Sequence, residues 1–170
     1  MLRMNLLITE MNKEKAREII SWKYEKPYDF YNSDQSYEEF EEKMDGSYFC
    51  VIDNQRNLVG FFCTGESAQV PKGNKYHMYQ ETLIDLGLGM NPRLIGKRNG
   101  FEYCSVIINH IEETYQETPI RLTVAKFNHR AIHLYQKLGF VYENEFSTDY
   151  AEFMTMVKRD RNTKGVNSAN

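Results

Sequence analysis

Apolar residues recur along the chain at two spacings, and each spacing predicts an element. Leu6 to Thr9 reads as a first strand, and Asn12 then stands as the N-cap of a helix expected to reach about Trp22. Pro27 bars helical continuation, while Ser36 and Glu39 have the capping-box spacing for a second helix from about Tyr37 to Met44. Ser47 to Asp53 and Leu58 to Thr64 predict a hairpin turned at Asn54 to Asn57. Glu66 to Tyr79 carries Pro71 and Gly73 and reads as a loop. Leu83 to Met90 is a strand. Gly100 to Gln116 is a helix with Phe101, Cys104, Ile108, Ile111 and Tyr115 on one stripe, and Ile120 to Val124 is another strand. Asn128 then caps a helix whose Ala131, Leu134, Tyr135 and Leu138 share a face, and Gly139 closes it. Phe140 to Phe146 and Ala151 to Val157 are expected to form a final antiparallel pair.

Strands meeting helices in this order predict an α/β (mixed α+β) fold. The expected core is a central twisted mixed sheet of about six to seven strands flanked by about four helices. The central strand–helix–strand unit is a parallel crossover, expected to be right-handed. Residues 1–158 are read as a single domain and 159–170 as a polar C-terminal tail.

Composition removes several function classes. A net charge of −3 over 170 residues gives no global field for nucleic acid, and no basic run suggests a membrane surface. No apolar run reaches the length of a membrane span, and Met1 to Glu10 lacks the pattern of a signal peptide, so a cytoplasmic protein is expected. Cys50, Cys63 and Cys104 have neither C-x-x-C nor metal-ligand spacing, so no metal site is predicted. They read as small buried hydrophobes.

Two stretches carry chemistry. In Leu83 to Met90, the side chains of Ile84, Leu86, Leu88 and Met90 face one way and those of Asp85, Gly87 and Gly89 the other. Two glycines on one face suggest a bulge or the close approach of another chain or ligand. The turn Asn91-Pro92-Arg93-Leu94-Ile95-Gly96-Lys97-Arg98-Asn99-Gly100 then feeds a helix. Glycines at such a turn let N–H groups converge on an anion at the positive end of the helix, and Lys97 and Arg98 add charge there.

The second stretch, Asn128-His129-Arg130-Ala131-Ile132-His133-Leu134-Tyr135-Gln136-Lys137-Leu138-Gly139-Phe140, resembles the N-x-R-A-I-x-L-Y-x-K-L-G-F signature of the Gcn5-related N-acetyltransferase (GNAT) family. The turn from Ile95 to Gly100 resembles that family's R/Q-x-x-G-x-G/A loop, with two departures. Ile95 stands in place of Arg or Gln, and Arg98 in place of the first motif glycine. If that position needs positive φ, a Cβ there costs roughly 1 kcal/mol. The likeness extends by order of elements across nearly the whole chain up to the tail.

The resemblance implies acetyl-CoA as acyl donor, and direct attack by a primary amine in a ternary complex. Tyr135 is then the proton donor to the departing thiolate. The backbone of Leu88, Gly89 and Met90 meets the pantetheine and the thioester carbonyl, and Asn128 touches the pantetheine. Ile95, Gly96, Lys97, Arg98, Asn99 and Gly100 cradle the pyrophosphate. Asp85 is the expected general base because it shares a face with the glycines; Glu81, acting through water, and His77 are further candidates. His110, His129 and His133 fall on polar helix faces. The aromatic cluster of Tyr24, Tyr28, Phe30 and Tyr31 is expected to roof the acceptor site, whereas Trp22 and Tyr48 suit the core equally well.

A small-molecule amine or a peptide N-terminus fits as acceptor, with no nucleic acid or membrane partner and a possible homodimer. The alternative is a noncatalytic acyl-CoA-binding or regulatory domain that keeps the fold. A dinucleotide-binding reading fails because Gly87-x-Gly89 lies inside a strand, with no G-x-G-x-x-G turn after it. A zinc or nucleophilic-cysteine enzyme lacks a ligand set or a Cys/His constellation.

Overall fold

The computed structural model describes residues 5–160. Its elements are β1 (Leu7–Glu10), α1 (Lys13–Ser21), α2 (Tyr37–Lys43), β2 (Tyr48–Ile52), β3 (Leu58–Thr64), β4 (Ile84–Met90), α3 (Gly100–Thr114), β5 (Ile120–Ala125), α4 (His129–Lys137), β6 (Val141–Ser147) and β7 (Glu152–Lys158). The strands form one seven-stranded sheet in the order β1-β2-β3-β4-β5-β7-β6. Every neighbouring pair is antiparallel except β4–β5, which is parallel and joined through α3.

The helix starts follow from local chemistry. Asn12 Oδ1 accepts the Lys15 N–H at 2.8 Å, and Asn128 Oδ1 accepts that of Ala131 at 3.2 Å. Ser36 caps α2 by accepting the Glu39 N–H at 3.2 Å, but the capping box is only half made. The Glu39 carboxylate takes the Ser33 hydroxyl, and the Ser36 N–H goes to Asp34 Oδ1 at 2.8 Å.

Three expectations need correction. The buried stripe of α3 is Tyr103, Cys104, Ile107, Ile108 and Ile111, while Phe101 and Tyr115 are exposed. The segment expected as a plain loop contains 3₁₀ turns at Gly65–Ala68 and Pro71–Tyr76, and the first lies against β4. The last strand runs to Lys158, whose buried ammonium pairs with Glu112 at 2.5 Å. The tail expected beyond it lies outside the described residues from residue 161 onward.

Each face of the sheet is covered. The main core joins Leu86, Leu122, Val124 and Met156 to α3 and to Tyr135, Leu138 and Phe140. On the opposite face, Ile19 and Trp22 pack on Cys50, Ile52 and Leu58, and a third cluster forms around Ala125, Phe146 and Phe153. Trp22 and Tyr48 are both buried.

Candidate active site

The parallel pair β4–β5 is joined only at Ile84↔Ile120, Asp85↔Arg121 and Leu86↔Leu122. Beyond Leu86, β4 continues to pair with β3 as far as Gly60↔Met90, and β5 pairs with β7 as far as Ala125↔Phe153. The two strands therefore splay apart in the middle of the sheet. The Ile84 N–H reaches the Pro119 carbonyl at 3.0 Å on the β5 side, and the Asn91 N–H reaches the Val59 carbonyl at 2.8 Å on the β3 side. Alternation along the strand then directs the N–H and C=O of Leu88 and Met90 into the splay. Gly89 differs from the expectation, because its backbone faces β3 and its carbonyl accepts the Tyr103 hydroxyl at 2.5 Å.

The glycine face of β4 is occupied by protein. A Cβ on Gly87 would stand 3.0 Å from Cys63 Sγ and 3.4 Å from Ala68, and one on Gly89 would stand 2.5 Å from the Phe61 ring. These glycines admit neighbouring side chains. The groups open to a ligand are on the backbone edge.

The turn after β4 fits an anionic ligand. Asn91 caps a 3₁₀ turn at Pro92–Leu94, Gly96 has φ +78° and Arg98 has φ +62°, and α3 begins at Gly100. Arg98 thus holds the left-handed conformation that glycine adopts without a steric cost. The Asn99 side chain makes no cap bond, which leaves the first N–H groups of α3 to a ligand. Ile95 is half-buried, and Lys97 and Arg98 are exposed beside it. Arg130, not anticipated from the motif, brings a further guanidinium to 3.9 Å from the Cβ position of Gly96.

Tyr135 projects from α4 into the main core, 6.0 Å edge-on from Phe140. Burial pushes its phenol well above the ordinary value, reinforced by the neighbouring Cys104 and Tyr31. The hydroxyl has no hydrogen-bond partner among the described residues, yet it is not sealed from solvent. Burial keeps it protonated.

Three aromatics expected over the acceptor site each tie onto a group of this cleft. Tyr24 Oη donates to the Met90 carbonyl at 2.9 Å, the Tyr28 ring lies 5.1 Å from the Arg130 guanidinium, and Tyr31 Oη accepts from Asn128 Nδ2 at 3.2 Å. The segment is folded on itself by the Tyr24 N–H, which reaches Asn32 Oδ1 at 2.7 Å. Phe30 packs edge-on against Phe127 at 5.6 Å.

Asp85 lies on the predicted face but is closed off from the cleft. Arg121 Nε and Nη2 reach its two carboxylate oxygens at 2.7 and 2.9 Å, and Gln69 Nε2 donates at 2.8 Å. Arg121 is only 4% exposed and also donates to the Glu81 carbonyl at 3.0 Å. The pairing spans 36 residues and leaves no local sequence signal. The Glu81 carboxylate faces away to Arg159 at 2.8 Å, and His77 is exposed on Gln80 at 2.9 Å. His129 and His133 are exposed as expected, whereas His110 is half-buried, 5.8 Å edge-on from Phe62.

The thiols are closed to chemistry. Burial pushes Cys50 and Cys63 up to about 11 and Cys104 to about 12. Among the described residues no group of His, Cys, Asp and Glu is arranged to hold a metal, and no helix is long and apolar enough to cross a membrane.

Solved structures share this architecture. A chimera of the Vibrio cholerae spermidine N-acetyltransferase SpeG with hSSAT is 24% identical, covering 90% of this chain and 94% of that one, with a TM-score of 0.65. The dodecameric V. cholerae spermidine N-acetyltransferase in its intermediate state is 23% identical, covering 98% and 99%, with a TM-score of 0.62. At these identities the likeness establishes the fold. No curated protein matches the sequence. The acetyltransferase (GNAT) family matches residues 13–140, and with its splayed strands, anion-ready turn and buried phenol the chain belongs to that family of acetyltransferases.

Proposed function

We propose that the protein is an acetyl-CoA-dependent N-acetyltransferase that moves the acetyl group directly onto a primary amine in a ternary complex. The observation that carries this reading is the end of β4–β5 pairing at Leu86↔Leu122, with the Tyr135 hydroxyl, unpartnered among the described residues, in the core cluster that holds Leu86 and Leu122. The backbone of Leu88 and Met90 then pairs with the pantetheine arm, and the Leu88 N–H polarises the thioester carbonyl. Gly96, Lys97, Arg98, Gly100 and Arg130, with the first turn of α3, hold the pyrophosphate. Asn128 meets the pantetheine once it parts from Tyr31. Ile95 and Asn99 shape the loop.

The amine nitrogen bonds to the carbonyl carbon as the carbon–sulfur bond breaks. The nitrogen gives up one proton to solvent, and Tyr135 supplies one to the leaving sulfur and is reprotonated by water. In this reading Asp85 is a structural anion that fixes Arg121, not the base. Tyr24, Tyr28 and Tyr31 roof the cleft and rearrange when the donor enters, since each holds a donor-side group.

Calorimetric titration with acetyl-CoA, with adenosine diphosphate as control, tests the reading. Saturable binding that requires the pantetheine arm, followed by amine-dependent release of coenzyme A, is the expected result. Absence of binding at millimolar acetyl-CoA would reject it.

A further inference from the structure

Thr123 is the first residue of β5 beyond the last β4–β5 pair, so it stands at the apex of the splay. Alternation puts its side chain with those of Asp85, Gly87 and Arg121, on the face opposite Tyr135. It is half-buried although β5 is an interior strand, flanked by β4 and β7. Its hydroxyl lies 2.8 Å from Tyr79 Oη, which also accepts the Val70 N–H at 3.0 Å. The Tyr79 ring is held under the Arg121 guanidinium, 5.0 Å from ring centroid to charge. A threonine hydroxyl has one donor and two acceptor sites, and Tyr79 takes only one of the three. Thr123 therefore keeps a lone pair at the point where the strands part.

We propose that Thr123, oriented by Tyr79, receives an N–H of the attacking amine, and that this site takes a weakly basic amine rather than a polycation. The proposal rests on the acetyltransferase reading above. During attack the nitrogen lone pair must face the carbonyl carbon, which leaves its N–H bonds to be held by an acceptor on the other side. Thr123 is such an acceptor, on the face away from the proton donor to sulfur.

The buried charges at the apex are paired. Asp85 of β4 is spanned by Arg121 of β5 and by Gln69. At the rim, Glu42 of α2 accepts the Tyr48 hydroxyl at 3.0 Å beside Lys43, whose ammonium stands 4.6 Å from the Tyr48 ring. Glu66, on the turn that covers Gly87, is exposed, and the Glu81 carboxylate is engaged by Arg159. Burial raises the Tyr79 phenol, so it stays protonated and does not serve as a base. Hydroxyls accept a hydrogen bond from a neutral amine, but they do not remove the proton from an ammonium ion. The acceptor must then arrive neutral. At neutral pH a peptide α-amine, with pKa near 7.8, is neutral some several-hundred-fold more often than an alkylamine near 10.4, by roughly 10^2.6.

The test uses the full chain with acetyl-CoA, and compares a lysine-free peptide bearing a free α-amine with spermidine at pH 7.5. The peptide is expected to exceed spermidine in kcat/KM by roughly a hundredfold, with the ratio shrinking as pH rises toward 10. Thr123→Val should raise the KM for the amine roughly tenfold at unchanged acetyl-CoA affinity, and Thr123→Ser should restore it. Tyr79→Phe should shift the amine KM in the same direction by less. Preference for spermidine at pH 7.5, or an unchanged amine KM in folded Thr123→Val, would overturn the proposal while leaving the enzymatic reading intact. Failure of the wild type to bind acetyl-CoA would remove both.

Discussion

The two faces of the β4–β5 splay are built on opposite plans. On the α3–α4 face, Tyr135 sits in an apolar wall with Val124, Leu138 and Phe140, and its hydroxyl has no partner among the described residues. On the other face, Asp85, Arg121, Gln69, Tyr79 and Thr123 form a connected polar network. An unpartnered donor in a low-dielectric wall is poised to act on whatever enters. A network of bonded groups holds a shape, here with a Thr123 lone pair left over at its edge. In the proposed reaction one side of the site supplies chemistry, and the other supplies geometry.

The largest test of that contrast is Tyr135→Phe. It should lower kcat roughly 10²- to 10⁴-fold and leave urea stability nearly unchanged, because the lost hydroxyl made no bond among the described residues. A loss of activity below tenfold would deprive this face of its chemical role. Asp85→Ala comes next: it strands Arg121 in the sheet and should destabilise the fold by about 3–5 kcal/mol in urea titration. Combining Asp85→Leu with Arg121→Met should recover most of that stability, as expected where the pair sets shape rather than net energy.

A smaller effect separates the faces by pH. The phenols of Tyr103 and Tyr135 are raised well above their ordinary value by burial, and that of Tyr24 is raised by the same cause. The folded state thus favours the neutral forms. Their contribution is complete below about pH 10, the unfolded value, and is lost as pH climbs beyond it. Thermal melts from pH 8 to 11 should show a falling midpoint only above about pH 10, with Tyr135→Phe falling less steeply than the wild type. The same shift keeps Tyr135 protonated, so turnover should show no alkaline decline up to pH 10. The smallest expected effect is that of Arg98→Gly. Relief of the left-handed conformation should raise stability by roughly 1 kcal/mol, and loss of one charge should make donor binding less sensitive to salt.

The elements of the Tyr135 face were legible because their determinants are close in sequence. Asn128 caps α4, Tyr135 recurs on the buried stripe, Gly139 closes the helix with φ +98°, and Arg98 proves to occupy the positive-φ position its motif suggests. The shaping face was not legible. Asp85 looks like a free carboxylate until Arg121 is laid beside it by the parallel register, and neither Gln69 nor Tyr79 belongs to a motif. The stripe of α3 failed for a related reason. Apolar residues flank it on both sides, and Tyr103 is turned inward where its hydroxyl finds the Phe61 and Gly89 carbonyls at 3.2 and 2.5 Å. The glycine face of β4 suggested an opening for ligand, but Phe61 and Ala68 fill it from other elements.

By itself, the amino-acid order determined the helices, their caps, most strand positions, the family and the positive-φ turn before α3. Those features depend on backbone preference, side-chain periodicity and hydrogen bonds reaching three or four residues. Tertiary structure decided where β4 leaves β5, which carboxylate is neutralised, and which hydroxyl stands at the apex. Those features depend on strand register and on contacts between residues dozens of positions apart, and no local pattern encodes a partner that only the folded sheet brings within 3 Å.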